Sequence, residues 1–297
     1  MAGDSPTFAV PPGFLGLGPR ADAAITIAGI PLDLGTTNRS GARFGPQAIR
    51  HASRMLVDGD HPTVRMDPAG LVSDVGDFRI ALGDIPASLK LIEEQADGHA
   101  HLVALGGEHG ITLALLRALA RREKPLALVQ FDAHVDTWPE TFGQPFGHGS
   151  VFHHAIREGL VEPRRMVQIG IRSPVERAVF DWTLAQGTTI LSAAEVHEIG
   201  PKAVADRIAA VVVEASCYLS FDIDALDPAF APATGTPEIG GLASWQAQLI
   251  LRRLGKLHFV GMDVVEVAPQ YDVAEITALA AATMVYEYLA LQAAGAR

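Results

Sequence analysis

Apolar and polar positions follow two alternating patterns along the chain. Short apolar runs, which are typical of buried strands, occur at Ile25–Ile30, at Leu126–Phe131 and at residues 217–221. Between such runs lie longer segments whose apolar residues recur about every three to four positions, as in amphipathic helices; Ile85–Ala96 is an example. Regular alternation of the two patterns predicts a parallel sheet covered by helices on both faces. We therefore predict an α/β fold, a three-layer sandwich with a mostly parallel central sheet.

The same patterns predict the remaining elements. Further strands are predicted at residues 71–75, 101–104, 166–171, 188–191 and 258–267, and further helices at residues 46–55, 111–122, 148–158, 175–186, 193–198, 201–214 and 244–254. Residues 276–294 are the most apolar long segment, but Glu287 and several alanines and threonines lie within it. This segment therefore predicts a buried C-terminal helix rather than a membrane span.

Domain organisation follows from composition along the chain. Residues 1–22 begin with a stretch rich in proline and glycine, and we predict a flexible N-terminal arm there. No internal repeat, linker or low-complexity block divides residues 23–297, which predicts a single domain. A hydrophobic content of 48% over 297 residues is enough for a sizeable core.

Charge and cysteine content narrow the choice of partners. The formal net charge of −11 argues against a nucleic-acid partner, because such partners require a basic surface. The single cysteine, Cys217, lies in an apolar run and cannot form an internal disulfide, which suits a reducing compartment. The first 19 residues lack the basic start and apolar core of a signal peptide. We expect a cytoplasmic protein with no membrane partner.

Polar side chains follow the apolar run Leu126–Phe131. Asp132, His134 and Asp136 are spaced two residues apart. Alternate side chains of a strand point to the same side, so these three converge if the extended geometry continues to Asp136. Two carboxylates and an imidazole in this arrangement suit a divalent metal ion, and buried charges must be paired or metal-bound. The alternative interpretation is a polar strand end that caps a neighbouring helix.

Two further strand ends carry the same residue types. Asp222 and Asp224 follow the apolar run 217–221, and His109 follows the apolar segment 101–104. In open parallel sheets, ligands bind outside the carboxyl ends of the strands. The three strand ends together offer two imidazoles and four carboxylates, too many for one ion. They suit a two-metal site, whose ions lie about 3.5–4 Å apart.

Four motifs in the chain carry a family resemblance. They are GGEH at 106–109, DAHVD at 132–136, SFDIDALDP at 220–228 and GMDVVEV at 261–267. Through them the chain resembles the ureohydrolases of the arginase and agmatinase family, and it is most similar to the agmatinase branch. The resemblance extends from about Ile27 to the C-terminus and implies that residues 23–297 are one arginase-like ureohydrolase domain.

The resemblance implies a set of metal ligands. One ion is expected at the positions that match His109, Asp132, Asp136 and Asp222, and the other at those that match Asp132, His134, Asp222 and Asp224. Asp132 and Asp222 would then be shared. The expected cofactor is two divalent ions per subunit, with manganese first and nickel as the alternative. Such ions lower the pKa of water from about 15.7 towards about 7, which provides the nucleophile for a guanidinium carbon. The products would be urea and an amine.

The resemblance also assigns catalytic and substrate-binding residues. His148 matches the histidine that moves protons during the reaction, and an imidazole titrates near the working pH. Glu266 matches the glutamate that hydrogen-bonds the guanidinium, a planar pair of opposite charges. Asp136 is the third expected catalytic residue, and Trp138 is expected to contact the substrate. The alternative interpretations are a surface-loop histidine and a glutamate paired with an arginine.

The distal half of the substrate stays open at this stage. Trp138, Pro139, Phe142 and Phe146 stand in the loop where the arginase branch uses small polar residues, so arginine is not expected. Gly110, Ala233 and Ala268 also depart from the usual motifs. We expect a small cationic guanidino compound, agmatine-like or another substituted guanidine. The alternatives are a guanidino acid of the guanidinobutyrase or guanidinopropionase type, and a small or alkylated guanidine or biguanide, cleaved with nickel.

Assembly and rival functions complete the expectations. The resemblance implies a homo-oligomer, a trimer or a hexamer, with a paralogous subunit in a mixed assembly as one alternative. A non-catalytic subunit of that kind should lose metal ligands, whereas this chain keeps all of them. A single-metal deacetylase on a related fold needs fewer carboxylates than the three strand ends supply.

Overall fold

The computed structural model describes residues 12–123 and 125–295, and its described strands form one all-parallel sheet. The strands are β1 (Ile25–Ile30), β2 (Val72–Asp77), β3 (Leu102–Gly106), β4 (Leu126–Phe131), β5 (Val161–Ile171), β6 (Thr189–Ser192), β7 (Ser216–Asp222) and β8 (His258–Val265). Their order across the sheet is β2-β1-β3-β8-β7-β4-β5-β6. The predicted α/β fold with a parallel sheet is confirmed.

Helices cover both faces of this sheet. They are α1 (Gly45–Ala52), α2 (Ile85–Ala96), α3 (Ile111–Leu119), α4 (Val151–Arg157), α5 (Arg177–Ala185), α6 (Ala193–Val212), α7 (Ser244–Leu251) and α8 (Ile276–Gly295). Helices α1, α6, α7 and α8 contribute to one hydrophobic core, and α2, α3 and α4 contribute to the other. The strands supply both cores because successive side chains point to opposite faces. In β4, Val129 packs in the first core and Leu128 in the second.

The C-terminal helix α8 belongs to the first core. Within the described residues it is the one helix long and apolar enough to cross a membrane, and 72% of its most apolar window is buried inside the molecule. Glu287, which lies inside it, is buried and receives hydrogen bonds from Arg252. The predicted buried helix at residues 276–294 is confirmed.

The described part of the predicted N-terminal arm is docked on the edge of the sheet. Phe14 and Leu15 are buried. The Phe14 amide donates to the Asp74 carboxylate over 2.7 Å, and the Leu15 amide donates to the Ser53 hydroxyl over 2.8 Å. Residues 1–11, which are also part of the predicted arm, lie outside the described residues.

The backbone just beyond strands β4 and β8 departs from extended geometry in ways that matter for the site. Strand β4 ends at Phe131, and Asp136 has φ of 49°, so the extended geometry does not continue to Asp136. Strand β8 ends at Val265, where Glu266 has φ of 66°. Left-handed backbone at residues other than glycine costs free energy and occurs preferentially at functional sites. Asp136 and Glu266, the two residues with left-handed backbone, both lie at the carboxyl edge of the sheet.

Candidate active site

The candidate site lies at the carboxyl ends of the adjacent strands β3, β8, β7 and β4. Beyond β3, the amide of Gly107 donates to the Ile30 carbonyl over 3.1 Å and the amide of Glu108 donates to the Leu32 carbonyl over 2.7 Å. The amide of Glu266, beyond β8, donates to the Gly107 carbonyl over 2.8 Å. Backbone pairing therefore continues past the strand ends and fixes the turn that carries His109.

A buried pair of glutamine side chains holds the turn after β4. Gln130 donates to the Asp132 carboxylate over 2.7 Å and to the His134 carbonyl over 3.2 Å. Gln168, on β5, donates to the Gln130 amide oxygen and to the Val135 carbonyl, each over 2.7 Å. Convergence of the polar side chains thus comes from a braced turn rather than from strand alternation. Sequence analysis missed both glutamines, although each is a polar residue inside an apolar strand.

One group of predicted ligands surrounds His109. Its Nδ1 atom lies 3.2 Å from Asp132 Oδ2, 2.9 Å from Asp136 Oδ2 and 3.3 Å from Asp222 Oδ2. All four side chains are buried. Donor atoms of His109, Asp132 and Asp222 lie within 4.8 Å of one another, a spacing that a single cation can bridge.

A second group surrounds His134. Its Nδ1 atom lies 3.4 Å from Asp132 Oδ1 and 3.1 Å from Asp224 Oδ2. Donor atoms of Asp132, His134 and Asp224 also lie within 4.8 Å of one another. Asp132 is common to the two groups and directs one oxygen to each histidine. Asp222, the other residue expected to be shared, falls in the first group only.

The donor set fits a pair of cations. His109 Nδ1 is buried among three carboxylate oxygens, yet none of them is aligned to form a hydrogen bond with it. Burial lowers the pKa of His109, but the carboxylates of Asp132, Asp136 and Asp222 outweigh burial and raise it well above its ordinary value, so a positive charge is favoured at this position. Burial raises the pKa of Asp222 well above its ordinary value, and the neighbouring carboxylates of Asp224 and Asp132 raise it further. Burial and Asp132 likewise raise the pKa of Asp136 to about 6. Divalent ions would offset this repulsion.

A hydrogen-bonded chain behind the first group orients His109. Its Nε2 atom lies 2.8 Å from the Ser220 hydroxyl, which donates over 2.7 Å to the buried carboxylate of Asp263. Asp263 also accepts hydrogen bonds from Thr112 over 2.7 Å and from Tyr218 over 2.9 Å. A proton on Nε2 keeps Nδ1 free as a ligand, as outer hydrogen bonds do at many metal sites. Asp263 and Ser220 were also missed; each interrupts an apolar strand.

His148 and Glu266 form a second layer of the site. His148 Nδ1 lies 3.0 Å from Glu266 Oε1, which also accepts the His109 amide over 2.7 Å. Burial lowers the pKa of His148, but the carboxylates of Glu266, Asp136 and Glu108 outweigh it and raise the value to about 9. The other carboxylate oxygen of Glu266 is buried and has no hydrogen-bond partner within the described residues.

Glu108 is a further buried carboxylate, close enough to His148 and Glu266 for their charges to affect it. Its Oε2 atom accepts the Gly35 amide over 2.6 Å, and its Oε1 atom has no hydrogen-bond partner within the described residues. Burial raises its pKa to about 7, and the charge on Glu266 adds to the shift. A side chain on Gly110 would approach Glu108 Oε1 to 3.4 Å. This is an ordinary contact distance, so Gly110, one of the departures in the sequence, is not required by the space around Glu108.

The site opens into a cleft of about 800 Å³. Its lining includes three of the expected metal ligands, together with His148 and its neighbours: His134, Asp136, Asp222, His148, Thr37 and Gly149. Trp138, Pro139 and Phe142 line its outer part together with Glu140, Glu176, Glu238 and one cation, Arg39. The Arg39 guanidinium lies 5.2 Å from the centre of the Tyr271 ring. Glu266 is beneath His148 and does not line the cleft.

Three further histidines, His101, His153 and His154, make contacts outside the ligand groups. His153 stacks on Trp182 with ring centroids 4.5 Å apart, and His154 Nε2 lies 2.6 Å from the Pro145 carbonyl oxygen. His101 contacts the Tyr288 hydroxyl over 2.7 Å, at the other end of the sheet. None of the three lies in either ligand group found among the described residues.

Comparison with known proteins identifies the family. The sequence model of the arginase family matches residues 23–290. The chain is 43% identical to an agmatinase of Cronobacter sakazakii, over 92% of this chain and 89% of that protein. It is 44% identical to a guanidinopropionase of Pseudomonas aeruginosa, over 99% and 96% of the two chains. The structure of proclavaminate amidino hydrolase from Streptomyces clavuligerus superposes with a TM-score of 0.92 at 38% identity, over 98% of this chain and 99% of that one. The chain therefore belongs to the arginase family.

Proposed function

We propose that this protein is a binuclear metal-dependent hydrolase that cleaves a guanidino compound to urea and an amine. The observation that carries the proposal is the pair of ligand groups that share Asp132 and lie at the base of one cleft. A metal pair there would supply water that is activated near neutral pH. Membership of the arginase family and the two relatives named for guanidino substrates support the same reaction class.

The side chains of the site have separate proposed roles in metal binding, proton transfer and substrate contact. His109, Asp132, Asp136 and Asp222 would hold one ion, and Asp132, His134, Asp222 and Asp224 the other. Glu266 lies beneath His148 and does not line the cleft, so the part we propose for it is to hold His148 Nδ1 rather than to accept guanidinium N–H groups itself. His148 would donate a proton to the leaving nitrogen, and Asp136 would accept one from the attacking water. Trp138 would pack against the carbon chain of the substrate.

The outer cleft favours a cationic distal group. Three carboxylates, those of Glu140, Glu176 and Glu238, line it against the single guanidinium of Arg39. An amine at the far end of the substrate, as in agmatine, would be attracted by that excess of negative charge. A guanidino acid is the second candidate, because Arg39 has no carboxylate within 4.0 Å among the described ion pairs and could bind one.

The donor set favours manganese as the native metal. Four carboxylates suit a hard ion, whereas the two imidazoles are also compatible with nickel. We further propose that the protein assembles as a homo-oligomer, a trimer or a hexamer, as membership of the arginase family implies. This chain carries every expected metal ligand, so no paralogous subunit is needed to complete the ligand set.

A urea-release assay tests the proposal. The metal-loaded protein is offered agmatine, guanidinobutyrate, guanidinopropionate, arginine, guanidine and alkylated guanidines, in parallel with manganese and with nickel. We expect urea from at least one compound, and agmatine is expected to exceed arginine. Asp132→Asn should abolish release, whereas Asp206→Asn, the same charge change at an exposed site, should leave it intact. Two bound ions without urea from any compound would contradict the proposal, and one ion per chain would contradict the metal pair.

A further inference from the structure

The imidazole of His148 is held at both of its ring nitrogens. Nδ1 lies 3.0 Å from Glu266 Oε1. Nε2 lies 2.8 Å from the Thr37 hydroxyl and 3.3 Å from the Thr37 backbone nitrogen. His148 is 8% exposed, and of its two ring partners Thr37 lines the cleft whereas Glu266 does not.

Glu266 restricts where His148 can exchange a proton. A carboxylate only accepts hydrogen bonds, and Glu266 Oε1 already accepts the His109 amide over 2.7 Å. Nδ1 of His148 therefore carries a hydrogen in both the neutral and the charged form of the ring. Proton exchange is confined to Nε2, the nitrogen that contacts Thr37.

Thr37 can satisfy Nε2 in both protonation states. When the ring is neutral, Nε2 accepts from the Thr37 hydroxyl and the Thr37 amide; when the ring is charged, Nε2–H donates to the hydroxyl oxygen. A single hydroxyl has this double capacity, whereas a backbone N–H only donates and an ionised carboxylate only accepts. Thr37 is exposed and lines the cleft. Its hydroxyl is thus the polar group that joins Nε2 to the substrate cavity.

The turn that carries Thr37 is fixed in place. Glu108 accepts the Gly35 amide over 2.6 Å and the Thr36 hydroxyl over 3.3 Å. A side chain added to Gly35 would come within 3.0 Å of the Gly147 Cα atom, so the turn packs directly on the segment that bears His148. Close packing of two backbones and a buried anchor hold the Thr37–His148 contact.

We propose that the Thr37 hydroxyl relays protons between His148 and the substrate, a role that rests on the proposed function. As the C–N bond breaks, Thr37 O–H gives its proton to the leaving nitrogen, and His148 Nε2–H gives its proton to Thr37 Oγ1. The hydroxyl is regenerated, the imidazole becomes neutral, and the amine leaves with the transferred proton. The imidazole regains a proton from water by the reverse route.

Replacing Thr37 by residues of similar size tests the relay. Thr37→Val keeps the shape and removes the hydroxyl, and we expect kcat to fall about 10–100-fold, since proton transfer by one positioned group contributes about 10²–10⁴-fold. KM and bound metal should stay unchanged. Thr37→Ser, which keeps a hydroxyl, should have a kcat within a few-fold of wild type. Its ratio of kcat in H₂O to kcat in D₂O should also match that of wild type. Ser40→Ala, in the same loop, is the control and should behave as wild type.

A spectroscopic measurement keeps this inference separate from the proposed reaction. In full-length protein labelled with ¹⁵N-histidine, the Nε2 resonance of His148 should shift in Thr37→Val and return in Thr37→Ser, whether or not a substrate is known. An unchanged Nε2 resonance, or an unchanged kcat in Thr37→Val, would overturn the relay. So would an equal loss of kcat in Thr37→Ser. Absence of urea from every compound with wild-type protein would contradict the proposed function instead, while the resonance would still test the contact.

Discussion

Among individual residues, Asp263 shows how a buried charge supports a metal ligand that it does not touch. It is fully buried and accepts three hydrogen bonds, from Thr112, Tyr218 and Ser220. Buried carboxylates are tolerated only when they are satisfied in this way. Of its three donors, Ser220 alone also contacts the imidazole ring of His109, whereas Thr112 contacts only the His109 backbone carbonyl. Removing Ser220 should therefore disturb the imidazole of His109, whereas removing the Tyr218 hydroxyl should disturb only the hydrogen bonding of Asp263.

Ser220→Ala should weaken metal binding. The change leaves His109 Nε2 without its partner and Asp263 one donor short. We expect affinity for manganese to fall about 10–100-fold, the usual effect of losing an outer hydrogen bond, together with a loss of about 1–3 kcal/mol in the free energy of unfolding. Metal titration and thermal unfolding measure the two effects. Tyr218→Phe is the control, because it removes a donor to Asp263 without touching His109; an equal loss of metal affinity in that variant would contradict the assignment.

Among the elements, the junction beyond β3 leaves no space for a side chain. A Cβ atom on Gly107 would lie 2.5 Å from the Ile30 carbonyl oxygen and closer still to that of Leu32. Both are backbone atoms of the segment that leaves β1, so neither can rotate away. This close approach allows the GGEH segment to pair with the chain beyond β1 and the chain beyond β8, with His109 between them.

Gly107→Ala should therefore destabilise the protein by about 3 kcal/mol, the upper part of the usual range for overpacking. Gly98→Ala is the matched control, because its added atom would meet only the Gln95 carbonyl oxygen at an ordinary 3.6 Å. There we expect no loss and a gain of up to about 1 kcal/mol from the less flexible unfolded chain. Thermal unfolding suits both variants, since urea and guanidinium resemble the product and the substrate. Equal stabilities would rule out the predicted backbone clash.

Strand interiors could be predicted from sequence, but their edges and neighbours could not. The apolar run at β4 gave its bounds, Leu126–Phe131, because both faces are buried. Strand β5 begins at Val161, five residues before its predicted start at residue 166. The prediction missed its first part because Glu162, Arg164 and Arg165 are polar and at least partly exposed, so they do not continue the apolar run. The position of β8 between β3 and β7 is a tertiary choice that no local pattern encodes.

The candidate site divides in the same way. The six residues predicted as ligands could be selected from the sequence because acids and imidazoles at strand ends are unusual, and because the motifs are characteristic; their role as ligands stays a prediction. Thr37 and Glu108 were missed as functional residues, since their importance depends on contacts across 111 and 73 residues of sequence. Gln130 gave a signal that was not used: a buried polar side chain inside a strand needs a partner, and its partners are the turn that carries the ligands.

For the whole molecule, the carboxyl edge of the sheet concentrates negative charge. His109, Asp132 and Asp222 come from three different strand ends, so repulsion at this edge opposes the folded state as a whole. Burial and the neighbouring acids raise the pKa of Asp222, so the ionised form of this side chain is disfavoured there. Bound cations would reverse the sign of this effect and link the ends of β3, β4 and β7.

Metal binding should therefore stabilise the entire fold in steps. At a metal concentration about 100 times the dissociation constant, each ion contributes about 2.7 kcal/mol. We expect the rise in Tm on adding manganese to be largest for wild type. It should be smaller for Asp224→Asn, which loses a carboxylate from one ligand group, and smallest for Asp132→Asn, which loses the carboxylate common to both ligand groups. Calorimetry with and without chelator measures it. Asp181→Asn, an equal charge change on the exposed surface of α5, should match wild type; equal gains in all four proteins would mean that the ions bind elsewhere.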